Sequence, residues 1–142
     1  MKTIASLNTM LMLFISLMVA APALKAGNDD GNSVIVEYTH FNNTLFSLCR
    51  KLIGMKARLG ETETDCSSKI IVSIKRDYVG ALKAAKKNGE VKSLLKKYRE
   101  VMLNAVASIQ PLTDERLISY EIRQDKAEAE LVQIANRISM EL

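Results

Sequence analysis

The chain has 142 residues, 48% apolar, 25% charged and 5% aromatic, with 20 lysines and arginines against 16 aspartates and glutamates and a formal charge of +4. Six glycines and two prolines exclude a collagen-like or linker protein, and the apolar share excludes a disordered acidic tail. What remains is one ordinary domain's worth of chain.

Residues 1–26 read as a secretory signal peptide. Lys2 gives the positive start, Met10 to Ala21 is apolar apart from Ser16, and small residues follow at Ala21, Ala23 and Ala26. Cleavage is expected after Ala26, with cleavage after Ala23, using Ala21 and Ala23 as the small pair, as the alternative. The apolar run falls short of the ~20 residues that a spanning helix needs, so a removed leader is expected rather than an anchor. The mature protein is then expected in the periplasm or outside the cell. Residues 27–33, GNDDGNS, are polar and glycine-rich and predict a flexible N-terminal tail. Residues 34–142 are expected to form a single helical domain.

Export changes how the two cysteines are read. Cys49 and Cys66 are the only pair available, and an oxidising compartment favours a disulfide between them.

The first helical pattern runs through Tyr38, Phe41, Leu45, Leu48, Leu52, Met55 and Leu59, at alternating steps of three and four, which predicts a buried stripe on helix 1. Gly54 and Gly60 are its candidate ends. Helix 2 is expected to start near Asp65, behind the capping-type residues Glu61 to Thr64, and to bury Ile70, Ile71, Ile74, Tyr78, Leu82 and Ala85. Asn88 and Gly89 mark its stop. Helix 3 is expected from about Glu90, with Val91, Leu94 or Leu95, Tyr98, Met102, Ala105 and Ile109 inside and Pro111 ending it. Thr113 is the expected cap of helix 4, with Asp114 and Glu115 in its first turn and Ala127, Leu131, Ile134 and Ile138 inside.

Four amphipathic helices with short connections predict a small all-α, antiparallel (up-down) four-helix bundle, stapled by one disulfide. The staple constrains the first connection. If helix 1 reached Leu59 and turned tightly into helix 2 at Asp65, Cys66 would lie ~15 Å along the axis from Cys49, whereas a disulfide needs Cα atoms within ~7 Å. Either helix 1 ends near Gly54 or residues 61–65 run back beside it in extended form.

Charge is segregated. Lys69 to Arg99 contains ten basic residues and only Asp77 and Glu90 as acids, while residues 100–142 are net acidic. Lys69, Arg76, Lys83 and Lys87 share a stripe of helix 2, and Lys92, Lys96 and Arg99 share one on helix 3. Together these seven are the candidate surface for an anionic partner, set against the simpler reading of a solvated face. Nucleic acid is disfavoured, because no aromatic residues interleave with the bases to stack on single strands.

The residues assemble no catalytic pattern. His40 is the sole histidine, the cysteines are expected to be oxidised, and no phosphate-cradling glycine pattern or nucleophile elbow occurs. Glu61, Glu63 and Asp65 alternate in a loop, but Val72 stands where a calcium loop would place its bidentate glutamate. Asn42, Asn43 and Thr44 include an N-glycosylation acceptor pattern. No metal or cofactor is expected. The chain is expected to be a non-enzymatic interaction protein, binding another exported or envelope protein in the manner of a chaperone, inhibitor or immunity protein. The alternative is a binder of anionic lipid or lipopolysaccharide through helices 2 and 3.

Overall fold

The computed structural model describes residues 30–62 and 65–142. The expected signal peptide and residues 27–29 of the expected tail lie outside them.

Four helices form the described chain: α1 (Asp30–Arg58), α2 (Asp65–Ala84), α3 (Gly89–Ala107) and α4 (Leu117–Glu141). Each packs mainly against two neighbours, α1 on α2 and α4, and α3 on α2 and α4, which makes the expected up-down ring. Side-chain links fix the antiparallel registers. The Tyr38 hydroxyl on α1 donates to the Ile74 carbonyl on α2 (3.1 Å), and the Asn88 amide at the start of α3 donates to the Glu141 carbonyl at the end of α4 (3.0 Å).

Helix ends follow backbone chemistry. α1 passes through Gly54 and stops at Arg58, where Gly60 takes φ +72° and the amides of Gly60 and Glu61 bond back to Ala57 and Lys56. α2 ends differently from the expectation at Asn88 and Gly89. Lys86 adopts the left-handed φ of 52°, Asn88 instead caps α3 by accepting from the Val91 amide, and Gly89 is that helix's first residue. α4 also begins later than expected. Thr113 and Asp114 form a turn, with Asp114 at φ +62°, and Glu115 folds its carboxylate back onto the Leu112 amide instead of entering a helical first turn. The start of α1 at Asp30 places residues 30–33 in a helix rather than in the expected tail.

The core of α2, α3 and α4 matches the expected faces. Ile70, Ile74, Ala85, Val91, Leu94, Leu95, Tyr98, Met102, Ile109, Leu131, Ile134 and Ile138 are buried, and Ile71, Tyr78, Leu82, Ala105 and Ala127 pack half-buried against them.

The buried face of α1 is rotated from the expected one. Ile35, Tyr38, Asn42, Phe46, Cys49 and Ile53 face inward, while of the expected stripe Phe41 is 50% exposed, Leu48 61%, Met55 55% and Leu59 69%. Two polar residues disguise the real face. Buried Asn42 donates to the Tyr38 carbonyl (2.8 Å), its side-chain oxygen left without a partner, and buried Thr39 donates to the Val36 carbonyl (3.1 Å), so both donors turn to their own helix. Tyr98 completes the layer from α3, its hydroxyl 2.9 Å from the Thr39 carbonyl oxygen and 2.7 Å from the Asn43 side-chain oxygen.

Candidate functional site

The rotation of α1 leaves its largest aliphatic and aromatic side chains on the outside. Val34, Phe41, Leu48 and Met55 recur every seven residues, so they form one line about 10.5 Å per step along the helix. All four are at least 43% exposed, and half-buried Leu45 and Leu52 continue the apolar surface toward α2. Scattered exposed apolar residues are ordinary, but a contiguous line is a feature of contact surfaces.

Between α1 and α2 the first two members of this line, Val34 and Phe41, border an open groove of about 660 Å³ whose walls also include Tyr38 from α1 and Arg76, Asp77 and Gly80 from α2, while Leu48 and Met55 lie at separate grooves between α1 and α4. Gly80 has nothing within 4 Å of where a Cβ would stand, so its missing side chain keeps that wall low. Glu37 and His40 lie at the same groove.

The seven basic residues of the expected anionic surface divide between two sides of α2. Arg76 lines the α1 groove, forked onto Asp77 at 2.9 and 3.0 Å, which holds the Asp77 carboxyl below its ordinary value. Lys69 and Lys83, seven residues to either side of Arg76, continue that shoulder. Arg99 lies elsewhere. Its guanidinium sits 5.0 Å from the centre of the Tyr78 ring, in the seam between α2 and α3. Tyr78 is two residues from Arg76 and therefore ~200° around the helix. Lys92 and Lys96 share the Arg99 side of α3, and Lys87 sits in the turn between the two helices. Of the seven, the structure thus brings Arg76 alone to the apolar groove, and does not join it with Lys92, Lys96 and Arg99.

Cys49 and Cys66 are disulfide-bonded, with Cα atoms 5.6 Å apart. Cys49 lies nine residues before the end of α1, about 14 Å along the axis, so α1 does not end near Gly54 and Cys66 still reaches back to it. Residues 63–64 of the connection lie outside the described residues. The bridge fixes the start of α2 against the middle of α1.

Other polar contacts hold the frame. Arg50, with 14% of its side chain exposed, joins α1 to Asp125 (2.7 Å) and Glu128 on α4. Arg123 bonds Glu115 and the carbonyls of Ser108 and Gln110, tying the α3–α4 connection down, and its hydrogen bond holds Glu115 below the ordinary carboxylate value. Tyr120 donates to the Ile109 carbonyl (2.6 Å), and burial pushes its pKa up to about 12. Burial likewise raises Tyr38 and Tyr98. These are the groups with the largest shifts, and each is explained by packing, not by a reacting partner.

Among the described residues no three His, Cys, Asp or Glu side chains converge as metal ligands. Glu63, one of the alternating carboxylates, lies outside the described residues, and Glu61 is exposed. The acceptor of the glycosylation pattern, Asn42, is fully buried in the folded chain. No described helix is long and apolar enough to cross a membrane. No family model, curated protein or solved structure matches the chain.

Proposed function

We propose that the chain is an exported, non-enzymatic interaction protein that binds another protein of the periplasm or extracellular space through the outer face of α1. The observation that carries this reading is the exposed line Val34, Phe41, Leu48 and Met55, spaced every seven residues, which the bundle does not need for its own core. Burying a Phe, Leu or Met side chain contributes about 1.5–3 kcal/mol each, enough for a few of them to anchor a complex. The leader-like residues 1–26 and the disulfide support export. The alternative, capture of an anionic envelope component on α2 and α3, draws less support because the seven bases lie on two sides and Arg76 already holds Asp77.

A photoreactive side chain in place of Leu48 tests the reading in cells. A covalent adduct with a second protein is expected from Leu48 and not from exposed Ser93 on α3. Equal adducts from both positions, or none from Leu48, contradict it. Turnover of a substrate that is lost on His40→Ala would contradict the non-enzymatic part.

A further inference from the structure

The seam between α2 and α3 carries positive charge with no counterion. Arg99 lies over the Tyr78 ring at 5.0 Å, no carboxylate forms an ion pair with it, and its Nε is buried without a hydrogen-bond partner. Lys75 stands one turn before Tyr78 on α2, and Lys96 and Lys92 stand one and two turns before Arg99 on α3, so all three share the seam side of their helices. Lys86 and Lys87 close the end of the seam in the turn between the helices. These lysines are exposed, and among the described residues none of them pairs with a carboxylate. The division of the seven expected bases thus leaves a set of its own on this side, and the fold adds Lys75 and Lys86 to it.

We propose that the α2–α3 face docks the protein on an anionic lipid bilayer, with Lys75, Lys92, Lys96 and Arg99 at the phosphate groups and Val72 and Val79 at the headgroup boundary. This surface is separate from the α1 face and does not depend on what binds there. The helix order sets the two apart. The α2–α3 seam and the α1–α4 grooves, where Leu48 and Met55 lie, are opposite sides of the ring, so a chain docked by the seam turns Leu48 and Met55 away from the lipid.

Charge selects an anionic occupant. The acids of α2 and α3 are Asp65, Asp77, Glu90 and Glu100. Asp77 is forked by Arg76 on the α1 side, Glu90 reaches Arg137 on α4, and Asp65 begins α2, about 15 Å along the axis from Lys75. Glu100 alone of the four borders the patch, on the outer edge of α3 one turn beyond Lys96. The balance at the seam is therefore strongly positive.

The form of the patch selects a bilayer. From Lys75 to Lys86 it follows α2 over about 16 Å. Its exposed apolar members are Val72 (59%) and Val79 (54%), short side chains seven residues apart on the outward side of α2. A protein interface is anchored by aromatic or arginine side chains seated in pockets, but here Arg99 covers Tyr78 and lysine predominates. Lysines on flexible stems around a shallow apolar surface suit headgroups, each base near an anionic leaflet raising affinity roughly fivefold.

The purified protein is sedimented with vesicles of phosphatidylcholine alone or mixed with phosphatidylglycerol. Pelleting is expected only with the mixed vesicles, weakening as salt is raised. Lys75→Glu with Lys96→Glu is expected to weaken it by about twentyfold or more, while Lys69→Glu with Lys126→Glu, the same change in net charge on other faces, stays within about threefold of the parent. The chain has no tryptophan, so a single introduced one reports its own surroundings. Emission from Val79→Trp is expected to shift to the blue on the mixed vesicles, and emission from Leu48→Trp to stay fixed. Absence of pelleting, equal loss in both double variants, or no blue shift at Val79→Trp would overturn the proposal. So would displacement by soluble glycerol phosphate, the mark of a lone phosphate site, or binding of polyglutamate without pelleting, the mark of an acidic protein. Failure on any of these counts leaves the Leu48 photo-adduct, and with it the α1 reading, standing.

Discussion

Phe41 and Phe46 lie five residues apart on α1 and meet opposite fates, Phe46 fully buried among the four helices and Phe41 50% exposed on the outer face. Five residues are about 500° of helix, which leaves the two rings ~140° apart. The pair separates folding from function. Phe46→Ala opens a core cavity and is expected to cost about 3–5 kcal/mol in chemical denaturation, whereas Phe41→Ala is expected to stay within about 0.5 kcal/mol of the parent. Equal losses would place Phe41 in the core.

The disulfide closes a loop across a sequence separation of 17 residues. In the chain-entropy model, Cys49→Ser with Cys66→Ser removes about 3 kcal/mol, or on the order of 10–20 °C in melting temperature for a domain of this size. The double variant should also be cut by proteases in the α1–α2 connection before elsewhere, because the bridge is what holds the start of α2 against α1. A melting temperature unchanged on reduction would remove the staple from the account.

Lys86 pays a backbone cost at φ 52°, in the region where glycine carries no Cβ penalty. Lys86→Gly is expected to raise stability by up to about 1 kcal/mol by relieving that strain, despite the added freedom of the unfolded chain. Lys86→Val, β-branched at the same φ, should lower it. Thermal melts of the two variants check the sign.

Glu115 gives the acid end of the stability profile a defined origin. Its carboxyl is held below the ordinary value first by the hydrogen bond from Arg123 and then by the Leu112 amide. A depressed folded pKa contributes stability that is fully present above the unfolded glutamate value, about 4.3, and is lost as the pH falls through the lower folded value. The melting temperature of the parent should therefore drop more steeply below about pH 5 than that of Glu115→Gln. Parallel curves would contradict the assignment.

The faces of α2, α3 and α4 were legible in the sequence because ordinary apolar periodicity and burial coincide there, as at Ile70, Ile74, Leu131, Ile134 and Ile138. The face of α1 was not. Its outer line of Phe41, Leu48 and Met55 is more apolar than its inner face, which carries Thr39 and Asn42, so periodicity alone selects the wrong side. A signal was nonetheless present. If Cys49 bridges to helix 2, the stripe through Asn42, Phe46, Cys49 and Ile53 must face inward, and the larger apolar stripe is displaced outward. The polarised charge was legible as well, but sequence stripes on α2 and α3 do not reveal that Arg76 and Arg99 serve different grooves. The ends of α2 and α4 escaped for a local reason: Lys86 and Asp114 take left-handed conformations that composition reserves for glycine.

The most direct measurement is the photo-cross-link at Leu48, made in the parent and in a Phe41→Glu background, with melting temperatures of both. The expected result is a protein adduct in the parent, its loss with Phe41→Glu, and melting temperatures that agree closely. An adduct that survives Phe41→Glu, or a Phe41→Glu chain that no longer folds, would contradict the assignment of the outer α1 face to binding.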